Sequence, residues 1–376
     1  MKEFNPERLK LAMQARGITK RALAAELDCS ERLIGYHLEG QKNPEAYISV
    51  YSSIFSYPES FFYGDEVELI DEKNVNFRAL SRMTKRERDR RIVSGSLLIN
   101  SFDTWLHAHY NLPEPSLPPI DECVFQPAFQ NTIVSENERL KQSRAYARTV
   151  ADLVRGAWML SDKPIPNLLQ LMEYHGIRIY SLPQSMECSE AYSFWYNEKP
   201  YVFVDRNKSA ERLRFDLGHE LGHLIMHQDC DATDRTNRSQ IEDQANTFAA
   251  CLLMPEPAFC YSFNEKTTYS DVLTGKKLWN VSFLACVHRM HELNMISDWM
   301  YSKYNIMASE NGRKNEPDAA FNKERSQIFP KIMELLHDEG KTITDVAIEN
   351  DMDTFELREY LFGFDTNNMY PHLQLV

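Results

Sequence analysis

The pentapeptide His219-Glu220-Leu221-Gly222-His223 constrains this chain more than any other feature, because its chemistry works on a helix. Helical residues four apart stand one turn above each other, so two imidazoles can aim at one metal ion while Glu220 flanks it. Zinc takes neutral imidazole at about 2.0–2.1 Å and, in hydrolytic sites, keeps one position open for water. Glu220 is then the candidate general base, taking a proton from that water and passing it to a leaving amine. Such a pentapeptide arises by chance about once in forty chains of this length, so its context has to carry weight. Phe215, Leu217, Leu224, Ile225 and Met226 surround it with the apolar residues a buried metal helix needs.

Zinc needs a third ligand from elsewhere in the chain. In the segment 239–255, Glu242, Ala245, Ala249 and Leu252 share one helical face, and its small residues let this helix press closely on the first. Glu242 would then be carried up to the metal. Two alternatives are open: Ser239-x-x-Glu242 also reads as a capping box, and Asp243, about 100° further round, could ligate instead. His227, one turn beyond His223, reads as a supporting residue more than a ligand. Cys188 and Cys230 lie near in sequence, where a thiolate could close zinc's open position, although an isolated Cys is more often a small buried hydrophobe.

His219-Glu-Leu-Gly-His223, followed by Glu242-x-x-Ala245-Asn246-x-Phe248-Ala249-Ala250-x-Leu252-Leu253-Met254-Pro255, resembles the ImmA/IrrE family of metallopeptidases. Val75-Asn76-Phe77-Arg78-Ala79-Leu80-Ser81, Gly156-Ala157-Trp158 with Pro164-Ile165-Pro166-Asn167, and Val281-Ser282-Phe283 with His288-Arg289 extend the resemblance over most of 75–315. It implies Zn2+ held by His219, His223 and Glu242, with Glu220 catalytic. It also implies a cytoplasmic bacterial or phage-encoded protease whose substrate is a DNA-binding repressor. Gly218 departs from the family, where Ala is usual; this costs about 1 kcal/mol of helix propensity and touches no ligand.

The amino terminus makes a separate statement. Pro6–Arg16, Thr19–Leu27 and a third helix capped by Ser30 and ending at Gly40 are spaced as a helix-turn-helix. Residues 5–63 resemble the XRE/Cro repressor family, which implies double-stranded DNA as partner, Glu31, Arg32 and Tyr36 at base edges, and Lys20 and Ser30 near phosphates. Lys20 stands where Gln is common, and a Glu31 carboxylate accepts from cytosine N4 but is repelled by phosphate. Acids and bases balance in the first 64 residues, so DNA binding is expected to be weak or assisted, or the module docks protein instead. Family members commonly bind as dimers, which makes a homodimer an expectation here. Arg82, Lys85, Arg86 and Arg90 recur at helical spacing. They form either a basic stripe for a duplex or single-stranded nucleic acid activator, or a solvated linker helix.

Elsewhere, Ile92–His109 reads as an amphipathic helix and Leu112–Pro119 as an extended linker. Asn167–His175 reads as a helix stopped by Gly176, and Ile177–Ser181 as a strand. Ala191–Tyr196 and Pro200–Asp205 read as a hairpin, either an edge that pairs with extended peptide or a plain structural element. Two short helices within 343–361 hint at a second helix-turn-helix, acidic, read as an interaction or lid element. The expected fold is α+β. An all-α helix-turn-helix domain (1–64) and a basic, amphipathic and Pro-rich connection (65–130) lead into a mostly helical zincin-like peptidase domain with a small mixed sheet (131–312). A small helical domain (313–376) follows.

Seven cysteines without a Cys-x-x-Cys fit reduced thiols, and a net charge of -13 confines any nucleic-acid contact to a local patch. No signal peptide and no apolar run approaching 18 residues are evident, so no membrane partner is expected. The functional expectation is a zinc-dependent endopeptidase fused to a DNA-binding domain, regulating transcription by cleaving a repressor or antitoxin-like protein, or itself. The alternatives are a transcription factor whose zincin-like domain senses a ligand without proteolysis, and an inert scaffold.

Overall fold

The computed structural model describes residues 3–77, 83–120, 135–186, 190–228, 230, 238–263, 267–310, 316–317 and 322–364. Arg82 and Cys188, and with them parts of the basic stripe and of the possible thiolate ligands, lie outside the described residues.

Local capping sets the first three helices. The Asn5 side chain accepts from Glu7 N–H to open α1 (Pro6–Arg16), and Gly17 closes it at φ 62°. Thr19 caps α2 (Lys20–Glu26) and Ser30 caps α3 (Glu31–Leu38) in the same way; α4 (Ile48–Phe55) follows a 3-10 turn. Leu9, Ala12, Leu23, Ile34, Tyr51, Phe55 and Phe62 bury their side chains between these helices, and Val93 and Leu97 join them from further along the chain.

Those two residues sit on α5 (Lys85–Leu98), opened by a reciprocal capping box between Thr84 and Glu87. A π-helical turn (Ile99–Asp103) leads straight on into α6 (Thr104–His109). The basic segment and the amphipathic helix expected from Ile92 are therefore one rod. Ile92, Leu98, Phe102, Trp105 and Leu106 on this rod pack into a second core, formed with the sheet.

The sheet has four strands in the order β1-β3-β4-β2: β1 (Asn76–Phe77), β2 (Arg178–Ser181), β3 (Tyr192–Tyr196) and β4 (Lys199–Val204). β3 and β4 form the antiparallel hairpin read from sequence, turning through Asn197 and Glu198, both at positive φ. β2 runs parallel to β4, and β1 pairs antiparallel with β3 at Asn76↔Ser193 and Phe77↔Tyr192. In strand order the hairpin lies between β1 and β2, and β1 covers only Tyr192 and Ser193 of β3.

One face of the sheet carries stacked aromatics, Tyr192 on Phe203 and Phe194 on Tyr201 among them. The α5–α6 rod covers them, together with α15 (Ile328–Asp338), α16 (Ile343–Glu349) and α17 (Thr354–Tyr360). At the π turn the buried Asp103 carboxylate accepts from Tyr180 Oη (2.6 Å) and Tyr201 Oη (2.8 Å), which satisfies three polar groups inside this core. The last helices share the sheet's core, so packing runs across residue 313 just as α5 carries it across residue 64.

The other face of the sheet carries the metal-motif helix α9 (Ala210–Met226), crossed by α10 (Arg238–Leu253), along which α7 (Glu136–Ala157) packs. α8 (Leu168–Tyr174), α11 (Glu256–Tyr261), α12 (Tyr269–Trp279), α13 (Phe283–Glu292) and α14 (Asp298–Glu310) complete this third core. The chain is thus mostly helical with one small mixed sheet, an α+β arrangement. Among the described residues no helix is long and apolar enough to cross a membrane.

Candidate metal centre

Ser209 opens α9 by accepting from Arg212 N–H, and Leu213, Leu217, Leu221 and Leu224 bury its apolar side. The crossing with α10 is close because Gly218 and Gly222 face Ala249 and Ala245. A methyl at Gly222 would sit 3.0 Å from Phe248 Cδ1, whereas one at Gly218 would meet Ala249 Cβ at an ordinary 3.4 Å. This crossing brings Glu242 of α10 over the two histidines of α9.

His219 Nε2 and His223 Nε2 are 3.0 Å apart, His219 Nε2 is 3.4 Å from Glu242 Oε2, and His223 Nε2 is 3.7 Å from Glu242 Oε1. A tetrahedral zinc ion separates its ligand atoms by about 3.3 Å, so the triangle has the right size. These three residues are a cluster of potential metal ligands, with the histidines buried and Glu242 partly open to solvent.

The outer nitrogens reinforce that reading. His219 Nδ1 lies 3.0 Å from Asn246 Oδ1 and donates to it. His223 Nδ1 lies 3.0 Å from His227 Nδ1, and His227 Nε2 lies 2.9 Å from Gln244 Oε1. Burial pulls His227 down to about 4, so its imidazole is neutral and Nδ1 accepts. Both inner nitrogens then carry lone pairs aimed at one point beside a carboxylate, a donor set that suits a divalent cation such as zinc.

Glu220, next to His219, is fully buried, and its Oε2 accepts from Ser193 Oγ of β3 at 2.7 Å. Trp195 Nε1 donates to Leu224 O at 2.9 Å and fastens the same strand to α9. β3 thus fixes both the helix and its acid.

The alternatives for the third ligand lose their footing. Ser239 lies inside α10, which includes Arg238, so Ser239 is not the residue that caps this helix. Asp243 is turned to α7, where Arg144 grips it through Nε (2.9 Å to Oδ2) and Nη2 (2.7 Å to Oδ1). The Cys230 N–H donates to His227 O, and Cys230 is not part of the ligand cluster. Ser193, Gln244 and Asn246 contact Glu220, His227 and His219, and the metal motif by itself does not point to them. Asn246 belongs to the Ala245-Asn246 pair of the second motif, and Ser193 is the lone hydroxyl on the α9-facing side of an aromatic strand.

Residues 172–291 match the IrrE N-terminal-like domain family, Peptidase_M78. The match begins within α8, runs through β2, β3, β4, α9 and α10, and ends in α13, so it encloses every residue of the cluster. It supports a metallopeptidase-like function for this part of the chain. No curated protein matches the sequence.

The residues expected at DNA gather on α2 and α3. Glu31 and Arg32 are exposed, Lys20 and Tyr36 half-buried, and the exposed Ser30 caps α3. Arg32 Nε donates to Tyr36 Oη at 2.6 Å, Lys42 Nζ sits 5.3 Å from the Tyr36 ring, and Lys20 lies against Gly35. Within the basic stripe, Lys85 and Arg86 are exposed, while Arg90 donates to Ala15 O (2.9 Å) and Ser185 O (2.8 Å), tying the rod to both neighbouring cores.

Proposed function

We propose that this protein is a zinc-dependent endopeptidase joined to an N-terminal DNA-binding domain, and that it regulates transcription in a bacterial or phage setting by cleaving a repressor or antitoxin-like protein. The convergence of His219, His223 and Glu242 beside a buried, strand-held Glu220 is the observation that carries this reading. A bound zinc ion would supply Lewis-acid polarisation of a scissile carbonyl and of the attacking water. Glu220 takes the proton from that water and returns it to the leaving amine, and Ser193 holds one carboxylate oxygen so that the other is directed. The outer hydrogen bonds of His219 and His223 fix their ring orientation and leave each Nε2 facing the metal position.

The DNA-binding part of the proposal rests on Arg32, Tyr36, Lys20 and Lys42 lying together at an exposed helix. With Glu31 among them and balanced charge around them, affinity for an operator is expected to be modest and strongly salt-dependent. The exposed Lys85 and Arg86 are the proposed contacts for an activating nucleic acid strand.

The test incubates the zinc-loaded full chain with a Cro-like repressor encoded beside it and follows intact masses, with Glu220→Gln as the paired control. Cleavage by wild type alone supports the proposal. Zinc uptake with neither substrate cleavage nor self-cleavage, while a promoter still responds equally to wild type and Glu220→Gln, would replace it with a regulator that acts by binding.

A further inference from the structure

Helix α10 does more than present Glu242. Its Gln244 meets His227 Nε2 at 2.9 Å, His227 Nδ1 meets His223 Nδ1 at 3.0 Å, and His223 Nε2 faces Glu242. A neutral imidazole has one N–H and one lone pair, so a choice made at one end of this file is passed to the other. With the residue 244 carbonyl towards His227, His227 Nε2 donates and its Nδ1 accepts. His223 Nδ1 must then donate, which leaves the His223 Nε2 lone pair for a cation. With a donor at position 244 every step inverts, and the proton arrives at His223 Nε2, where it excludes a metal.

We infer that Gln244 and His227 are positioning residues that select the metal-binding tautomer of His223 and thereby set the affinity of the site for a divalent cation. The inference rests on the metal reading of His219, His223 and Glu242. His227 is 3% exposed, so solvent is poorly placed to supply the missing partner if the file is broken. His219 is held separately by Asn246, which makes it an internal reference for the effect on His223.

The test uses the full chain, stripped with a chelator and titrated with zinc against a chromophoric competitor. Gln244→Met and His227→Phe are neutral replacements of similar size, and each is expected to weaken zinc binding about 10–100-fold. Gln244 is half-buried, so its variant is expected to melt with the wild type when metal-free. In parallel, 15N spectra of histidine-labelled metal-free protein read the tautomers directly. The expected result is a proton on Nδ1 of both His219 and His223 in wild type, with His223 alone becoming mixed in Gln244→Met. Wild type that takes up no zinc overturns the metal reading and this inference with it. Wild type that binds zinc no more tightly than both variants, or that carries the His223 proton on Nε2, overturns this inference alone.

Discussion

At the scale of single residues, proposed ligand and bystander are separated by one position, about 100° of helix. Glu242 and Asp243 are adjacent acids, yet one faces two imidazoles and the other an arginine. Removing Glu242 by alanine substitution should abolish zinc retention on a desalting column. Asp243→Ala should keep the metal and cost about 0–1 kcal/mol in denaturant melts, because its partner Arg144 is partly exposed. On the proposed mechanism Glu220→Gln leaves the ligands intact and removes the base, so zinc content should be unchanged while the cleavage rate falls about 10²–10⁴-fold.

At the scale of elements, the decisive contact is the α9–α10 crossing, and its two glycines are not equivalent. Gly218→Ala has room and gains helix propensity, so it should be neutral or stabilising by up to about 1 kcal/mol. Gly222→Val pushes into Phe248 and should cost about 1–3 kcal/mol and loosen metal binding, measured by urea unfolding and zinc titration. A second joint is sensitive to pH. Glu173 on α8 accepts from Gln327 N–H, at the start of α15, and from Ser326 Oγ, but burial outweighs these bonds and pushes its carboxyl up to about 7. A carboxyl raised in the folded state contributes stability below its ordinary value of 4.5 and loses it as pH rises through 7. The full shift corresponds to about 3 kcal/mol. Melting wild type and Glu173→Gln at pH 5.5 and 8.5 should show the larger alkaline loss in wild type; parallel behaviour would remove Glu173 as its source.

At the scale of the whole molecule, the terminal units are tied to the middle of the chain and to each other. Arg16 of α1 reaches Glu356 of α17 at 2.7 Å while lying 4.3 Å over the Tyr57 ring, and Ser60 bonds to Asp351. Mostly buried, the Arg16–Glu356 pair should give a coupling of about 0.5–3 kcal/mol in a double-mutant cycle on the full chain. Each single alanine variant should lose more than the double mutant's additive share, because it strands one charge. Zero coupling would mean that the two termini meet without stabilising each other. Val93 and Leu97 enter the N-terminal core while the next turns of the same rod enter the sheet's core, so one helix joins the N-terminal helices to the sheet that includes β3, the strand that holds Glu220.

The metal motif, its helix, the strand hairpin and the helices of the first 40 residues were legible in sequence, because each depends on local spacing, caps and turn residues that a short window contains. Glu242 was legible as one of several choices, since periodicity gives a helical face but not what the face meets. The contact of Ser193 with Glu220, the file from Gln244 through His227, the order of the strands about the hairpin and the sharing of one core by the sheet and the last helices were decided by tertiary structure. Each depends on contacts between residues far apart in the chain, and those contacts exist once the cores have closed. Sequence named the atoms that can bind a metal; packing chose which nitrogens face it.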